Sequence, residues 1–101
     1  MDILENKNKD FIELQVSGRL DTTTAPELEL KVKDCAKKTK HLVLNLSSVE
    51  YISSAGLRVV LQAHKIMTSN LAKMSIRNPS EFCCQVFEAT GMDSILSIVN
   101  A

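Results

Sequence analysis

The sequence of 101 residues is poor in the residues that several kinds of binding site require: it has no tryptophan, one tyrosine and three glycines. With so few aromatic rings, the chain lacks the stacking platform on which single-stranded nucleic acids bind. The glycines, Gly18, Gly56 and Gly91, lie too far apart to form a phosphate-binding loop. Twelve basic residues balance twelve acidic ones, so the positive charge typical of a nucleic-acid-binding protein is also missing. We therefore expect no direct contact with nucleic acid.

Paired cysteines and long apolar segments are missing as well. Cys35, Cys83 and Cys84 are odd in number and lack the spacing of a disulfide framework or a zinc site. We therefore expect reduced thiols, no metal and no cofactor. No basic and apolar leader opens the sequence, and no apolar run approaches the ~18 residues that a membrane span needs. These absences predict a cytoplasmic protein that does not enter a membrane.

What is present is the composition of an ordinary globular domain, with 45% hydrophobic and 24% charged residues. At this length we expect a single domain, residues 1–101, that acts as a monomer. The hydrophobic spacing predicts the order ββαβαβα and a short C-terminal element, either a helix or an edge strand. Strands that alternate with helices favour parallel pairing, and the initial hairpin makes the sheet mixed. The expected fold class is therefore α/β, with the helices mainly on one side of the sheet.

Turn and capping signals place the element boundaries. Alternating hydrophobicity predicts a second strand that ends at Gly18. Thr24 and Glu27 have the capping-box spacing of a first helix that runs to about Lys38. Further elements are expected as strands at residues 41–46 and 71–76, a helix at residues 54–68 and the final element at residues 95–99.

A third helix is expected between Ser80, which can cap its start, and Gly91, which can end it. Four of its side chains are expected to point inward: Phe82, Cys83, Val86 and Phe87. Of the histidines, we expect His64 to be partly buried and His41 to be exposed at the start of a strand.

Residues 44–62, LNLSSVEYISSAGLRVVLQ, combine a buried strand, a loop and an apolar helix that begins at Ser53 and Ser54. A serine at a helix start caps the helix by accepting hydrogen bonds from free backbone N–H groups. The same N–H groups and the positive end of the helix dipole also stabilise an added anion. Phosphorylation of such a serine would add about −1.5 to −2 charges at this point. The residue pattern alone leaves both interpretations open, a cap or a phosphorylation site.

This segment resembles the core motif of the STAS family, which comprises bacterial anti-sigma factor antagonists and the cytosolic domain of sulphate transporters. Residues 17–21 (SGRLD) and 24–28 (TAPEL) also have the family's pattern. Residues 89–92 (ATGM) resemble the turn that closes the family's third helix. The resemblance covers most of the chain and implies the STAS fold.

The resemblance implies a phosphorylation-gated regulator and not an enzyme. In the family, the unphosphorylated domain captures an anti-sigma factor that is also a serine kinase of the GHKL type, and a sigma factor is released for transcription. The kinase phosphorylates a serine at the start of the second helix, and a PP2C-type phosphatase removes the phosphate. The alternative is a scaffold or transport-accessory domain that is never phosphorylated and acts by constitutive contact. An enzyme would need a nucleophile with a base, and no histidine is linked to Ser54 by a motif.

The chain departs from the family motif at the phosphorylated residue. The common motif is Asp-Ser-Ser-Gly with the second serine modified. Aligned through Gly56, this chain has Ser53, Ser54 and Ala55, so the usual acceptor position is an alanine. The family's aspartates are replaced by Ser53 and Asn45. We therefore predict phosphorylation at Ser54, with Ser53 as the fallback; the further alternative is no phosphorylation, with both serines capping the helix.

The second helix has more apolar surface than one sheet face can cover. A polar stripe recurs at spacings of three and four residues: Arg58, Gln62, Lys65 and Ser69. The opposite side is expected in the core: Val60, Ala63 and Met67. One of two apolar flanks, Leu57 with Leu61 or Val59 with Ile66, then either contacts a partner or packs against a neighbouring helix.

We predict that a partner protein binds the start of the second helix, one apolar flank of it and the loop before the first helix. In that loop, Asp21 either orients the loop beside the second helix, as the resemblance implies, or caps the region of the first helix. The predicted partner-binding residues are Asp21, Thr22, Ser53, Ala55, Gly56, Leu57, Arg58 and Leu61.

Overall fold

The computed structural model describes residues 1–100 and contains five strands, three α-helices and a 3-10 helix within them. In chain order these are β1 (Asp2–Lys7), β2 (Ile12–Leu20), α1 (Ala25–Ala36), β3 (His41–Ile52), α2 (Ser54–Ser69), β4 (Lys73–Arg77), α3 (Glu81–Thr90), the 3-10 helix Met92–Ser94 and β5 (Ser97–Val99). The predicted order is confirmed, and the C-terminal element is a 3-10 turn followed by an edge strand. No helix in the described part of the chain has the length and apolar character needed to cross a bilayer.

The five strands form one mixed sheet in the order β1-β2-β3-β4-β5. β1 runs antiparallel to β2, whereas β2, β3, β4 and β5 pair in parallel. Alternate residues of the two central strands are at most 1% exposed: Ile12, Leu14 and Val16 in β2, and Leu42, Leu44 and Leu46 in β3. These side chains form one core with the buried stripes of all three helices. The helices therefore cover one face of the sheet, as predicted.

α2 and α3 begin where their capping serines predict. Ser53 precedes α2 and Ser80 precedes α3, and each hydroxyl accepts a hydrogen bond from the backbone N–H three residues later. Gly91 ends α3 with a φ of 77°, a left-handed conformation that glycine adopts without strain. α2 ends at Ser69, one residue beyond the expected helix.

α1 begins at the predicted position but is capped differently. Thr24 is its N-cap residue, and the hydroxyl donates to the backbone oxygen of Arg19 (2.8 Å) and accepts from the N–H of Asp21 (2.9 Å). Because this hydroxyl is bonded within the preceding turn, it makes no cap bond to the helix. The predicted capping box with Glu27 is therefore wrong, and the helix also ends slightly earlier than expected, at Ala36.

The two strands that lead to α1 and α2 are longer than the sequence pattern indicates. β2 continues past Gly18 to Leu20, and β3 continues beyond residue 46 to Ile52. The pairing of the two strands shifts register twice between Gln15 and Arg19. Such shifts break the alternation of apolar residues and so hide the strand ends from a periodicity argument. The additional residues extend both strands to the C-terminal end of the sheet, where α2 starts.

Two apolar side chains lie at the surface, contrary to the sequence pattern. Phe82, predicted to point inward from α3, is 37% exposed and contacts Tyr51, with the ring centroids 5.3 Å apart and the ring planes inclined at 46°. Leu71 is 94% exposed in the turn after α2, so β4 begins only at Lys73. The other expected core positions of α3 are correct, since Cys83 and Phe87 are buried and residue 86 is partly buried.

Candidate functional site

The start of α2 lies at the carboxyl ends of β2 and β3. Ile52 ends β3 in the core, and the next residue, Ser53, has the extended backbone of an N-cap (φ −94°, ψ 177°). The Ser53 hydroxyl accepts from the N–H of Gly56 at 3.4 Å. Ser53 is therefore engaged as the cap of α2 and is only partly exposed.

Ser54 is the first residue of α2, and its surroundings differ from those of Ser53. It is exposed, and its hydroxyl makes no hydrogen bond to any described residue. No acidic residue lies in the first turn of α2, so the positive end of the helix dipole has no charged partner there. Ala55, at the usual acceptor position of the family motif, is partly buried.

Close packing fixes the start of α2 against the end of β2. The Ser53 N–H donates to the backbone oxygen of Leu20 at 2.9 Å. A Cβ atom added to Gly56 would lie 2.8 Å from that same oxygen and from Leu20 Cγ, and 2.9 Å from a side-chain carbon of Ile52. Only glycine allows this approach, so residue 56 contributes by shape and not by a side chain.

Asp21 lies beside this contact but is bonded within its own turn. One carboxylate oxygen accepts from the N–H (3.1 Å) and the hydroxyl (2.8 Å) of Thr23. The hydrogen bond from the Thr23 hydroxyl, followed by those from the backbone N–H groups of Thr23 and Thr24, holds the pKa of the Asp21 carboxyl below its usual value. Asp21 thus stabilises the turn before α1, and the exposed Thr22 lies next to it.

The buried face of α2 agrees with the predicted division, and in the polar stripe Gln62 is partly buried. Val60, Ala63 and Met67 are fully buried, whereas Arg58 and Lys65 are exposed. On one flank Val59 is 5% exposed and Ile66 is partly exposed, while on the second flank Leu57 and Leu61 are partly exposed and pack against the core. A groove of about 550 Å³ follows this second flank and is lined by Leu61, His64, Lys65, Thr68, Ser69 and Ile95. The predicted residues Ser53, Ala55, Gly56, Leu57, Arg58 and Leu61 thus share one end and one side of α2.

An arginine and two aromatic rings form a row next to this end of α2, which the sequence did not indicate. The Arg19 guanidinium lies 4.2 Å from the centre of the Tyr51 ring, and the Tyr51 ring in turn contacts the tilted ring of Phe82. Arg19 Nε is also 3.7 Å from an Asp21 carboxylate oxygen. The row depends on the shifted register that pairs Arg19 with Tyr51, and this register is not visible in hydrophobic periodicity.

The opposite face of the sheet holds a buried carboxylate that sequence patterning also missed. Glu13 is 5% exposed and accepts hydrogen bonds from Asn45 Nδ2 (3.2 Å) and Arg77 Nη1 (3.3 Å). The Asn45 amide oxygen accepts from the N–H of Ser47 at 3.1 Å. The aspartate that the family motif has in place of Asn45 would set a second carboxylate against Glu13. The Asn45 amide instead donates to Glu13, so the asparagine has a structural partner that is away from the start of α2.

The histidines and cysteines are bonded or buried within the fold. His64 is partly buried as expected; His41 is partly buried too, so its predicted exposure is wrong. His41 Nε2 lies 2.9 Å from the Ser75 hydroxyl, and burial, with the charge of Lys73, lowers the pKa of the imidazole. Burial raises the pKa of the Cys35 thiol to about 11. Within residues 1–100, no three His, Cys, Asp or Glu side chains are arranged to hold a metal ion.

Comparison with known sequences identifies a relationship along almost the whole chain. The STAS domain family model matches residues 3–101. The anti-sigma-B factor antagonist of Bacillus subtilis is 29% identical over 98 residues, which cover 97% of this chain and 88% of that protein.

Comparison with solved structures gives the same fold. The TM1081 protein of Thermotoga maritima matches with a TM-score of 0.89 and 25% identity, over 98% of this chain and 86% of that one. The Bacillus anti-sigma factor antagonist SpoIIAA, in its unphosphorylated form, matches with a TM-score of 0.85 and 16% identity over 99% of this chain and 88% of that one. Its phosphorylated form matches with a TM-score of 0.80, over 99% of this chain and 91% of that one.

Proposed function

The chain belongs to the STAS domain family, and from that premise we propose that it is a phosphorylation-gated, protein-binding regulator. When unphosphorylated, it captures an anti-sigma factor that is also a serine kinase of the GHKL type, and so frees a sigma factor for transcription. The kinase phosphorylates Ser54, and a PP2C-type phosphatase reverses the modification. The curated relative named an anti-sigma-B factor antagonist supports this role.

The difference between the two serines at the start of α2 carries the proposal. The Ser53 hydroxyl is bonded to the N–H of Gly56, whereas the Ser54 hydroxyl is exposed and makes no hydrogen bond to any described residue. A kinase must reach the acceptor hydroxyl and align it with the phosphate that is transferred. Ser54 meets this requirement without loss of the helix cap, which supports Ser54 over Ser53.

A phosphate on Ser54 would be tolerated by this chain but not by a partner packed against it. The unpaired N–H groups at the helix start and the positive dipole end favour an anion there. Arg58, exposed one turn further along α2, adds a nearby positive charge. Within an interface, the same phosphate brings desolvation cost and repulsion from acidic groups. Phosphorylation therefore separates the partner without unfolding the domain.

The existence of SpoIIAA in an unphosphorylated and a phosphorylated form supports a gate of this kind in the fold. Ala55 at the usual acceptor position favours a second candidate function. In that case the domain is never phosphorylated and acts as a scaffold or transport-accessory domain by constitutive contact. The two candidates differ in a single measurable property, the modification of Ser54.

Kinase treatment followed by peptide mass mapping tests the proposal. The anti-sigma factor kinases encoded in the same genome, starting with any adjacent gene, are each incubated with the protein and ATP. We expect a single phosphate on Ser54. Ser54→Ala should abolish modification and keep the kinase bound, whereas Ser54→Asp should weaken binding only in part, because aspartate carries less charge than phosphate. Ser69→Ala, at the other end of α2, is the matched control and should change neither property.

Other outcomes assign the chain differently. A phosphate found on Ser53 alone would contradict the role given to its cap bond. Stable binding of a partner together with no modification by any of these kinases would favour the constitutive scaffold.

A further inference from the structure

Leu71 protrudes from the turn after α2, at a position where the local structure favours a different residue. The Ala72 N–H donates to the backbone oxygen of Met67 (2.9 Å), and the Leu71 N–H donates to that of Thr68 (3.0 Å). These two bonds form a Schellman motif, whose left-handed residue is usually glycine. α3 ends with such a glycine, Gly91 (φ 77°), whereas α2 has Leu71 (φ 56°) with a side chain that is 94% exposed. The turn itself therefore does not explain the leucine.

Three exposed lysines beside this turn have no acidic partner. The Lys73 N–H donates to the backbone oxygen of Lys40 at 3.0 Å, and Lys40 Nζ donates to the backbone oxygen of Asn70 at 3.4 Å. Lys37, at the end of α1, lines one small cavity with Lys40. None of the three lysines belongs to an ion pair among the described residues. We call Leu71, Lys37, Lys40 and Lys73 the Leu71 patch.

The end of the molecule that surrounds the patch is positive on balance. α1 and α2 end here, and β3 and β4 begin here. In the last turn of α1, Asp34 is already paired with Lys38 at 3.0 Å, so this pair adds no net charge. Residues 7–10 (KNKD), between β1 and β2, add one net positive charge, and Glu88 and Asp93, near the end of α3, oppose it. The three free lysines of the patch therefore leave this end positive.

Helix dipoles alone would account for the lysines but not for the leucine. Cations near the carboxyl end of a helix offset the negative end of its dipole, and Lys37 and Lys40 follow α1 in this way. An almost fully exposed leucine, in contrast, gains nothing from contact with water. Its position among free lysines suits a ligand that is apolar inside and anionic at its surface.

A lipid bilayer with anionic headgroups has both properties. Lysine side chains can place their ammonium groups at the lipid phosphates, with their apolar stems along the interface, while a leucine enters the layer below. A nucleic acid offers phosphates but no apolar layer for a leucine. A stable protein complex needs a larger complementary area than one protruding side chain provides. The Leu71 patch therefore matches a bilayer surface best.

We propose that the Leu71 patch binds the surface of a bilayer that contains anionic phospholipids. Leu71 enters the interfacial layer, and Lys37, Lys40 and Lys73 contact the lipid phosphates. A lysine near such a surface strengthens binding by about fivefold, and one apolar side chain by about tenfold. Because so few groups take part, the contact is reversible and sensitive to salt. The contact is with the surface alone, so the chain still does not enter the membrane as a spanning protein.

The orientation that this contact imposes keeps the start of α2 away from the bilayer. Ser54 begins α2 and Leu71 follows its end, and the 16 residues of the helix separate the two by about 24 Å. A partner can therefore reach Ser54 while the Leu71 patch is bound to lipid. The membrane contact does not rest on the proposed function, because it uses the opposite end of the molecule.

Cosedimentation with vesicles tests the contact on the purified full chain. The vesicles contain phosphatidylcholine alone or an equal mixture of phosphatidylcholine and phosphatidylglycerol. We expect binding to the mixed vesicles only, and its loss at high salt. Lys73→Glu should weaken the binding by about tenfold or more, because it removes an attracted charge and adds a repelled one. The control Lys65→Glu makes the same charge change on the exposed side of α2 and should leave the binding nearly unchanged.

Substitutions at Leu71 separate insertion from adsorption by charge alone. Leu71→Gly introduces the usual residue of the Schellman motif, so it should keep the fold intact and still weaken vesicle binding by about tenfold. Leu30→Ala, which removes an exposed leucine from α1, is the control and should leave the binding unchanged. Because the chain has no tryptophan, Leu71→Trp adds a single fluorophore at this turn. Its emission should shift to the blue on mixed vesicles, whereas that of Leu30→Trp should not.

Three results would overturn the proposal. They are a wild-type chain that does not bind the mixed vesicles, binding that Lys73→Glu and Leu71→Gly leave unchanged, and a Leu71→Trp variant that binds without a shift in emission. In the last case the patch would be a site for polyanions such as duplex DNA or an acidic protein and not for a lipid interface. None of these results bears on Ser54 phosphorylation, because no kinase is present in the experiment.

Discussion

The starts of α2 and α3 use the same cap but carry different charges. Ser53 and Ser80 each accept one backbone N–H, at 3.4 Å and 3.2 Å. The first helical residue after each cap is exposed, and it is Ser54 in α2 but Glu81 in α3. α3 therefore has a permanent negative charge at its positive dipole end, whereas α2 has only a hydroxyl there. A phosphate on Ser54 would therefore give α2 the negative charge that Glu81 gives α3.

The two starts also differ in how they pack. Two residues after Ser54 comes Gly56, pressed against Leu20 with no space for a Cβ atom. The equivalent position of α3 is Cys83, whose side chain is fully buried. The backbone of β2 thus forms a rigid base for the start of α2. Next to this base Ser54 is exposed, and the positive end of the α2 dipole has no charged partner. This combination suits a modification that changes the surface and leaves the fold intact.

Among substitutions at the two helix starts, Gly56→Ala should lower the free energy of unfolding the most. The added methyl group costs about 3 kcal/mol in a packed position, and the better helix propensity of alanine offsets about 1 kcal/mol of that. We expect the free energy of unfolding to fall by about 2 kcal/mol in urea denaturation. Gly91→Ala is the matched control: its Cβ meets nothing within 4 Å, so only the φ of 77° opposes it, at about 1 kcal/mol. A larger loss for Gly91→Ala than for Gly56→Ala would contradict the rigid base.

Ser53→Ala and Ser80→Ala should have intermediate and nearly equal effects. Each removes one cap hydrogen bond of similar length, so each should lower the free energy of unfolding by about 1 kcal/mol. Thermal unfolding monitored by circular dichroism measures both. Asparagine at either position should restore most of the loss, since it also caps helices. If Ser53→Ala lowered the free energy of unfolding several times more than Ser80→Ala, the two caps would not be energetically equivalent.

The sequence predicts the elements of this fold well wherever a local rule applies. Ser53, Ser80 and Gly91 mark helix ends because capping depends on residues close in the chain. The same rule fails at Thr24, because its hydroxyl is hydrogen-bonded to Arg19 and Asp21 in the preceding turn. The helix boundaries were therefore predictable to the extent that no competing hydrogen bond existed.

The candidate site was predictable in its position but not in its geometry. The motif located Ser54 and Gly56, but the contact of Gly56 with Leu20 depends on how far β2 extends, and its register shifts hide that length. The stacking of Arg19 on Tyr51 and the partners of Glu13 likewise join residues that are distant in sequence. Such contacts follow from strand register, which a single sequence specifies only weakly when a bulge interrupts it.

An exchange of charge between the starts of α2 and α3 should change the free energy of unfolding the least. Ser54→Glu adds a carboxylate at the uncompensated dipole end of α2 and should raise the free energy of unfolding by about 0.5 kcal/mol. Glu81→Ser removes the carboxylate of α3 and should lower it by a similar amount. For a domain of this size each change corresponds to a shift in Tm of about 2–4 °C at low salt. High salt should remove both shifts, because charge–dipole interactions at exposed helix ends are screened.

The sign of the Ser54→Glu shift also decides how the loss of partner binding is to be explained. If the variant is more stable than the wild type and still binds its kinase less tightly, then the negative charge acts at the interface and not by loosening α2. Ser69→Glu is the matched control at the opposite, negative end of the same helix, where a carboxylate should destabilise by a similar amount. A Ser54→Glu variant that is destabilised at low and high salt alike would mean that steric effects dominate at this position. The start of α2 would then not be the electrostatic counterpart of the start of α3.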